Sequence, residues 1–160
     1  MPDTARPAPE TADRDTLLSM SGLAFMQAIR DGTQPPAPIA ETLGYRLGAV
    51  EDGRVTFLGA PGPEHANPMG AVHGGWYGTL LDSAMGCAVM TKVPQGSVYT
   101  TLEYKINIIR AIPLGTEIVA EAITSHAGRS TGVAEATIRG VEDGKLYATG
   151  SSTCIIMKMT

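Results

Sequence analysis

The residues best suited to chemistry lie in one short stretch around a His-Gly-Gly turn. His73, Gly74 and Gly75 come directly before an apolar run that contains one carboxylate, Asp82. A turn that begins a helix leaves backbone N–H groups unpaired and directs the positive end of the helix dipole outward. Such donors can hold a carbonyl oxygen that gains negative charge during acyl transfer. A carboxylate inside an apolar run either has a bonding partner or takes part in a reaction.

Each of these residues also has a purely structural explanation. Asp82 can bond a neighbouring backbone group or Ser83, and the His73 ring can fix the turn by bonding a loop carbonyl. The two glycines can serve close packing of loop on sheet, and Asn67 before Pro68 is ordinary turn chemistry. That all of these residues occur together in this order is much less expected by chance than the presence of any one of them.

The spacing of Gly74 and Asp82 constrains how they can act together. Eight residues separate them, which is ~12 Å along a helix that rises ~1.5 Å per residue. A carboxylate that far along cannot reach a carbonyl held at the start of the same helix. If both groups serve one reaction, Asp82 must come from a second, antiparallel copy, and a two-fold axis makes that exchange natural. The spacing therefore predicts a homodimer with two equivalent composite sites.

Composition indicates an ordinary globular chain of one domain. It has 160 residues, 43% hydrophobic residues and a net charge of −4, with no basic run, which argues against nucleic acid and anionic membranes as partners. No apolar stretch approaches the ~20 residues of a membrane span, and the N-terminus lacks the apolar region of a secretory signal. Two cysteines, Cys87 and Cys154, are too few for a disulfide framework and favour a cytoplasmic protein with buried thiols.

The elements that must position the site are readable from periodicity. We expect three segments: a disordered tail over residues 1–13, an N-terminal helix with its linker over 14–37, and the main domain over 38–160. The N-terminal helix itself is expected over 15–30. A helix from Gly74 to about Thr91 follows a Gly/Pro loop. Period-two alternation and turn signals predict strands at 42–50, 54–59, 98–109, 117–125, 131–141 and 145–157. One central helix wrapped by a long antiparallel sheet is an α+β architecture.

At this point the motifs resemble a known family. Asn67 six residues before His73, Asp82 nine residues after it, and the runs 99–110 and 125–130 are similar to those of hotdog-fold acyl-CoA thioesterases of the phenylacetate-degradation type. The similarity covers residues 38–157. It implies a sheet of five to six strands around a long helix, a dimer that often pairs into a tetramer, and hydrolysis of an acyl-CoA. No separate cofactor is implied, because coenzyme A is part of the substrate.

The resemblance also assigns roles to individual residues. The Gly74 N–H polarises the thioester carbonyl, and Asp82 of the partner chain acts as general base or as nucleophile. Asn67 orients the water or the acyl carbonyl, while His73 holds the Gly74 turn. Thr101, or Thr100 if the register shifts by one, bonds the water or Asp82. The residues expected to meet the nucleotide phosphates are Arg129, Ser130, Gly128 and Arg110, although a solvated arginine is the simpler reading of both arginines.

Other functions stay open at this stage. A hydratase or dehydratase acting on an acyl thioester needs a histidine paired directly with a carboxylate, whereas the His-Gly-Gly turn looks structural. A non-catalytic acyl-CoA sensor needs an output domain, and no helix-turn-helix or basic face is evident. Metal binding is not expected, because the three histidines form no ligand pair. His65 is either a loop residue near the site or a surface residue, and the surface is the preferred interpretation. The N-terminal helix either caps the acyl pocket or covers a sheet edge. The residues that could shape that pocket or simply fill the core are Trp76, Tyr77, Met85, Met90 and Tyr99.

Overall fold

A helix of 17 residues, α4 (Gly74–Met90), runs along the inner face of a six-stranded sheet in the computed structural model, which describes residues 8–159. The helices are α1 (Arg14–Leu18), α2 (Gly22–Arg30), α3 (Pro38–Thr42) and α4 (Gly74–Met90), with a 3-10 turn at Pro63–His65. The strands are β1 (Tyr45–Glu51), β2 (Arg54–Gly59), β3 (Ser97–Ile108), β4 (Ile118–Ala127), β5 (Thr131–Gly140) and β6 (Leu146–Lys158). The first seven residues of the expected disordered tail lie outside the described part of the chain.

The sheet is antiparallel throughout, with the strand order β1-β2-β4-β5-β6-β3. Alternation along the strands decides which face packs on α4, because successive side chains point to opposite faces. In β4, Ile118, Ala120 and Ala122 are fully buried, whereas the Glu121 carboxylate lies on the outer face and pairs with Arg54. The predicted α+β architecture, a central helix wrapped by a curved antiparallel sheet, is confirmed.

Small residues on the sheet allow α4 to lie close against it. A Cβ added at Gly132 would come within 2.5 Å of Val89 Cγ1, and one at Gly150 would lie 3.2 Å from Met85 Cε. Apolar residues of α4 lie on nearly all of its sides and form no single stripe. A helix with this pattern is a buried one, and α4 is buried on nearly all sides. Even so, among residues 8–159 no helix has both the length and the apolar character needed to cross a membrane.

The N-terminal helix predicted over residues 15–30 is wrong as a single element, because the structure divides it into α1 and α2. The break lies at Ser21, whose backbone is extended. Its side chain accepts a hydrogen bond from the Ala24 N–H, so Ser21 is the N-cap at which α2 begins. The strand expected from Thr42 is also shorter, since Pro38 begins the short helix α3 and β1 starts at Tyr45.

Candidate active site

Asp82 lies on the third turn of α4 and is half-buried. Its Oδ1 accepts a hydrogen bond of 3.0 Å from the Thr101 hydroxyl on β3. Thr100, the neighbouring candidate, is exposed and lies on the other face of the strand. Thr101 is therefore the threonine that contacts the carboxylate, and the contact orients Asp82 while leaving Oδ2 free of any hydrogen bond to residues 8–159.

A β-bulge at Leu102 is the reason that Thr101 faces the helix. In the pairing of β3 with β6, Thr101 lies opposite Cys154 and Glu103 opposite Thr153, so Leu102 is the extra residue. Before the bulge, odd-numbered residues face α4; after it, even-numbered ones do, and Ile106 lies against Gly78. Bulges re-aim side chains in this way and are frequent beside functional sites. No feature of the sequence marks this bulge.

The first turn of α4 provides a free hydrogen-bond donor. His73 is the N-cap: its Nδ1 accepts from the Gly75 N–H at 2.9 Å, and its carbonyl accepts from the Trp76 N–H at 3.0 Å. The Gly74 N–H makes no hydrogen bond to any residue between 8 and 159. The space beside the Gly74 Cα is open, because a Cβ at Gly74 would meet only Ile108 Cδ1, at 3.5 Å. His73 thus holds the turn, and the donor expected from the sequence is unpaired.

Asn67 builds the loop that leads to this turn. Its Oδ1 accepts from the Met69 N–H at 2.9 Å and from the Ala71 N–H at 3.2 Å, and its own N–H donates to the Ala71 carbonyl. The side-chain oxygen is thereby committed to loop geometry. Only the Nδ2 group is left for contact with a water or an acyl carbonyl.

His65 is buried, so the expectation that it is a surface residue is wrong. Its Nδ1 accepts from the Gly62 N–H at 3.0 Å, and its ring packs 6.1 Å from the ring of Trp76. The His65 carbonyl accepts a 2.8 Å bond from the His73 N–H. The sequence missed this residue because its burial depends on the packing of the loop over α4. Its role is to support the backbone from which His73 caps the helix.

The four residues expected at the phosphates divide between two ends of the sheet. Gly128, Arg129 and Ser130 form the exposed β4–β5 turn, which is closed by a 2.8 Å bond from the Gly128 N–H to the Thr131 carbonyl. Through the strand pairing, this turn lies at the Thr101 end of β3. Arg110 follows the opposite end of β3, where its guanidinium donates to the Leu146 carbonyl at 3.3 Å. A single chain therefore does not bring Arg110 and Arg129 together.

An apolar cavity of about 180 Å³ adjoins Asp82 between α2, α4 and the sheet. Burial raises the pKa of Tyr45, whose hydroxyl shares a 2.9 Å hydrogen bond with Ser83. Burial and the nearby Asp82 carboxylate raise the pKa of the Cys87 thiol to about 12, and burial raises the pKa of Tyr99 well above its ordinary value. These phenols and the thiol are thus uncharged at neutral pH, so Cys87 is no thiolate nucleophile. The lining residues are Met26, Ile29, Pro36, Ala37, Ala40, Tyr45, Leu47, Phe57, Asp82, Ser83, Cys87 and Tyr99.

Other polar groups do not assemble into a metal site. Among residues 8–159, no group of three or more His, Cys, Asp or Glu side chains is placed to hold a metal ion. The residues considered as pocket walls fall into two groups. Tyr99 lines the cavity, whereas the others are buried in the core: Trp76, Tyr77, Met85 and Met90. The Tyr77 hydroxyl accepts a 2.8 Å hydrogen bond from the Ile112 N–H, and Tyr77 does not line the cavity.

A long helix wrapped by six antiparallel strands, with a carboxylate on that helix facing an edge strand, defines the hotdog-fold class. The family description "Thioesterase superfamily" matches residues 69–147. The chain is 30% identical to acyl-coenzyme A thioesterase 13 of Mus musculus over 90 residues, which are 56% of this chain and 64% of the mouse protein, somewhat less than two thirds of it.

Two solved structures match over almost their whole length. A phenylacetic acid degradation-related protein of Ralstonia eutropha is 26% identical, with a TM-score of 0.75, over 82% of this chain and 98% of that one. A conserved protein of Pseudomonas aeruginosa is 32% identical, with a TM-score of 0.70, over 76% and 95%. This chain has the hotdog fold and is similar to the thioesterase superfamily over residues 69–147.

Proposed function

We propose that the protein hydrolyses an acyl-CoA thioester to the free acid and coenzyme A, at a site shared by two copies of the chain. The Gly74 N–H of one copy is the oxyanion donor, and Asp82 of the other is the general base or the nucleophile. The observation that carries this proposal is the Asp82 carboxylate, fixed by Thr101 at the wall of an apolar cavity. The match to the thioesterase superfamily over residues 69–147 and the similarity to the mouse acyl-CoA thioesterase support it.

Thioester hydrolysis needs few groups, and those present suffice. A thioester carbonyl is activated enough that one carboxylate, one oxyanion donor and correct positioning can support the reaction. Asp82 Oδ2 either takes a proton from a water that attacks the carbonyl carbon or attacks that carbon itself, to be released by water. In both routes the C–S bond breaks, and the thiolate of coenzyme A leaves and takes up a proton. The thioester oxygen meanwhile accepts a hydrogen bond from the Gly74 N–H.

The edge strand β3 supports the sharing of the site. It is 12 residues long and has no partner on its outer side among residues 8–159. Leu102, Tyr104 and Ile108 are 59%, 46% and 47% exposed along it. A long, apolar, uncovered edge is a pairing surface for another strand, and a two-fold axis would pair β3 with β3 of a second copy antiparallel.

Antiparallel pairing would complete the site. In one chain, the Gly74 end of α4 lies beside Ile108 and Asp82 lies beside Thr101. Antiparallel β3 strands set the Ile108 end of one copy beside the Thr101 end of the other. Gly74 of the second copy then approaches Asp82 of the first across the interface, which the ~12 Å separation within one helix forbids.

The same pairing gathers the expected phosphate-binding residues. Arg110 of the second copy would arrive at the end of the sheet that carries Arg129 and Ser130 of the first. Guanidinium groups bind phosphates through paired, charge-assisted hydrogen bonds. We therefore assign these residues, with the Gly128 turn, to the nucleotide portion of coenzyme A. Pairing of two such dimers into a tetramer remains part of the proposal.

The hydratase alternative is less well supported by the geometry. That chemistry needs a histidine acting with a carboxylate, yet His73 Nδ1 is occupied by the Gly75 N–H. A chromogenic thiol assay on acetyl-, hexanoyl-, dodecanoyl- and benzoyl-CoA tests the proposal. Release of free thiol is expected with at least one substrate. Formation of an isomer without thiol, or tight binding without turnover, would contradict it.

A further inference from the structure

The cavity beside Asp82 is closed on one side by α2, a helix whose purpose the sequence left open. Met26 and Ile29 of α2 form that wall, and Leu47 and Phe57 face them from β1 and β2. Met26 is only 3% exposed. The exposed Pro36 and Ala37 mark the rim nearest to solvent. The N-terminal segment thus contributes directly to the space available next to the carboxylate.

The position of α2 is fixed by its first residue. The Gly22 N–H donates a 2.9 Å hydrogen bond to the Val93 carbonyl, just beyond the end of α4. A Cβ at Gly22 would lie 1.8 Å from the Met90 carbonyl oxygen, which real structures do not permit. Only glycine allows α2 to begin this close to the end of α4. The wall formed by Met26 is therefore held in place by backbone contacts and not by side-chain packing alone.

We propose that Met26 and Ile29 determine acyl-group specificity by limiting the depth of the cavity. The inference rests on the proposed function, because it places the acyl group of the substrate in this cavity. A volume of about 180 Å³ slightly exceeds the ~150 Å³ that accommodates one benzene molecule in an engineered protein cavity. The acyl group that fits is a single ring or a chain of similar bulk, and longer chains meet Met26.

The polar groups in the cavity fit an apolar acyl group. The Tyr45 and Ser83 hydroxyls bond each other at 2.9 Å, so covering them with an apolar chain leaves neither unpaired. The raised pKa of Tyr45 keeps its phenol neutral, since burial disfavours the phenolate. The carboxylate of Asp82 is the polar group in the cavity wall that remains for the reacting carbonyl.

Chain-length profiles of alanine variants test the assignment. We would measure kcat/KM for acetyl-, butyryl-, hexanoyl-, octanoyl- and dodecanoyl-CoA with the wild type, Met26→Ala and Ile29→Ala. Removing either side chain should raise the octanoyl-to-butyryl ratio at least about tenfold, the lower end of the discrimination that one methylene provides in an apolar pocket. Leu23→Ala is the matched control, because Leu23 lies on the same helix and packs on the core without lining the cavity.

A second variant adds bulk to the cavity lining instead of removing it, so that the test still gives a result if Met26→Ala does not fold. Ala37→Leu adds bulk at the exposed rim and should lower the same ratio. Parallel chain-length profiles in Ile29→Ala, Ala37→Leu and the wild type would overturn the inference. If the wild type releases no thiol from any substrate, the proposed function fails. Calorimetric affinities for the same acyl-CoAs then decide the inference: a changed octanoyl-to-butyryl ratio in Met26→Ala supports it, and an unchanged one refutes it.

Discussion

The first and third turns of α4 are built for opposite tasks. The first turn leaves the Gly74 N–H unpaired and is stiffened by the His73 cap and the Asn67 loop. The third turn presents the Asp82 carboxylate, oriented from outside the helix by Thr101. One offers a donor and the other an acceptor, on the same rigid element and ~12 Å apart. If both groups serve one reaction, as proposed, each chain carries two half-sites and no complete one.

The two edge strands of the sheet, β1 and β3, also differ from each other. β1 has seven residues, contains an irregularity between Leu47 and Val50, and is covered by α2 and α3. β3 has twelve residues and an uncovered outer side in the described chain. Irregularity, shortness and covering elements are the means by which proteins prevent strand pairing. The β3 edge shares the irregularity, at Leu102, but it is neither short nor covered in the described chain, and it is the edge next to Asp82.

Substitution of the third-turn carboxylate should have the largest effect. Asp82→Asn keeps the size of the side chain and removes the proton acceptor, so turnover should fall about a thousandfold, within the range for loss of a general base. Thiol release and thermal unfolding of the same preparation would be measured together. Near wild-type turnover in a folded Asp82→Asn protein would remove Asp82 from the reaction.

Removal of the first-turn donor should have the next largest effect. Gly74→Pro deletes the N–H at a position where proline is favoured in helices, and the extended backbone of His73 is compatible with a following proline. Turnover should fall about a hundredfold, as for loss of one oxyanion donor.

Gly74→Ala is the matched control, because it retains the N–H and its Cβ meets Ile108 only at an ordinary contact distance of 3.5 Å. Equal loss of turnover in Gly74→Ala and Gly74→Pro would show that shape, and not the donor, matters at this residue.

The hydrogen bond that orients the third turn should matter less. Thr101→Val removes the hydroxyl and keeps the shape, so kcat should fall about tenfold, while Thr101→Ser should restore most of it. The rescue distinguishes hydrogen bonding from packing. Failure of serine to differ from valine would mean that Thr101 serves only to fill space beside α4.

The smallest effect is expected for Cys87, which lies near Asp82 in the same cavity. Its pKa of about 12, raised by burial, means that deprotonation is disfavoured and begins only well above neutral pH. About one thiol in a thousand is ionised at pH 9. The pH–rate profile of Cys87→Ala should therefore match that of the wild type up to pH 9. A lost limb of that profile in the variant would instead make the thiol a participant.

Periodicity predicted the framework because it depends on local pattern. The apolar run that begins at Gly74 and the alternation in β4 and β5 placed α4 and most strands to within about two residues. The break at Ser21, the burial of His65 and the bulge at Leu102 were missed, since each depends on contacts between distant segments. The bulge also explains why Thr100 and Thr101 could not be distinguished from the sequence. Regular alternation counted back from Ile106 would direct Thr100 toward α4. Because the bulge adds one residue to β3, Thr101 faces α4 instead.

Mixing two inactive variants tests the shared site most directly. Asp82→Ala chains and Gly74→Pro chains would be exchanged, with mixed dimers quantified by native mass spectrometry. In a mixed dimer, one composite site carries both defects and the other carries neither. Random exchange should therefore recover about a quarter of wild-type turnover, because half of the dimers are mixed and each has one intact site. Turnover no higher than that of the separate variants, in a sample shown to contain mixed dimers, would contradict the shared site.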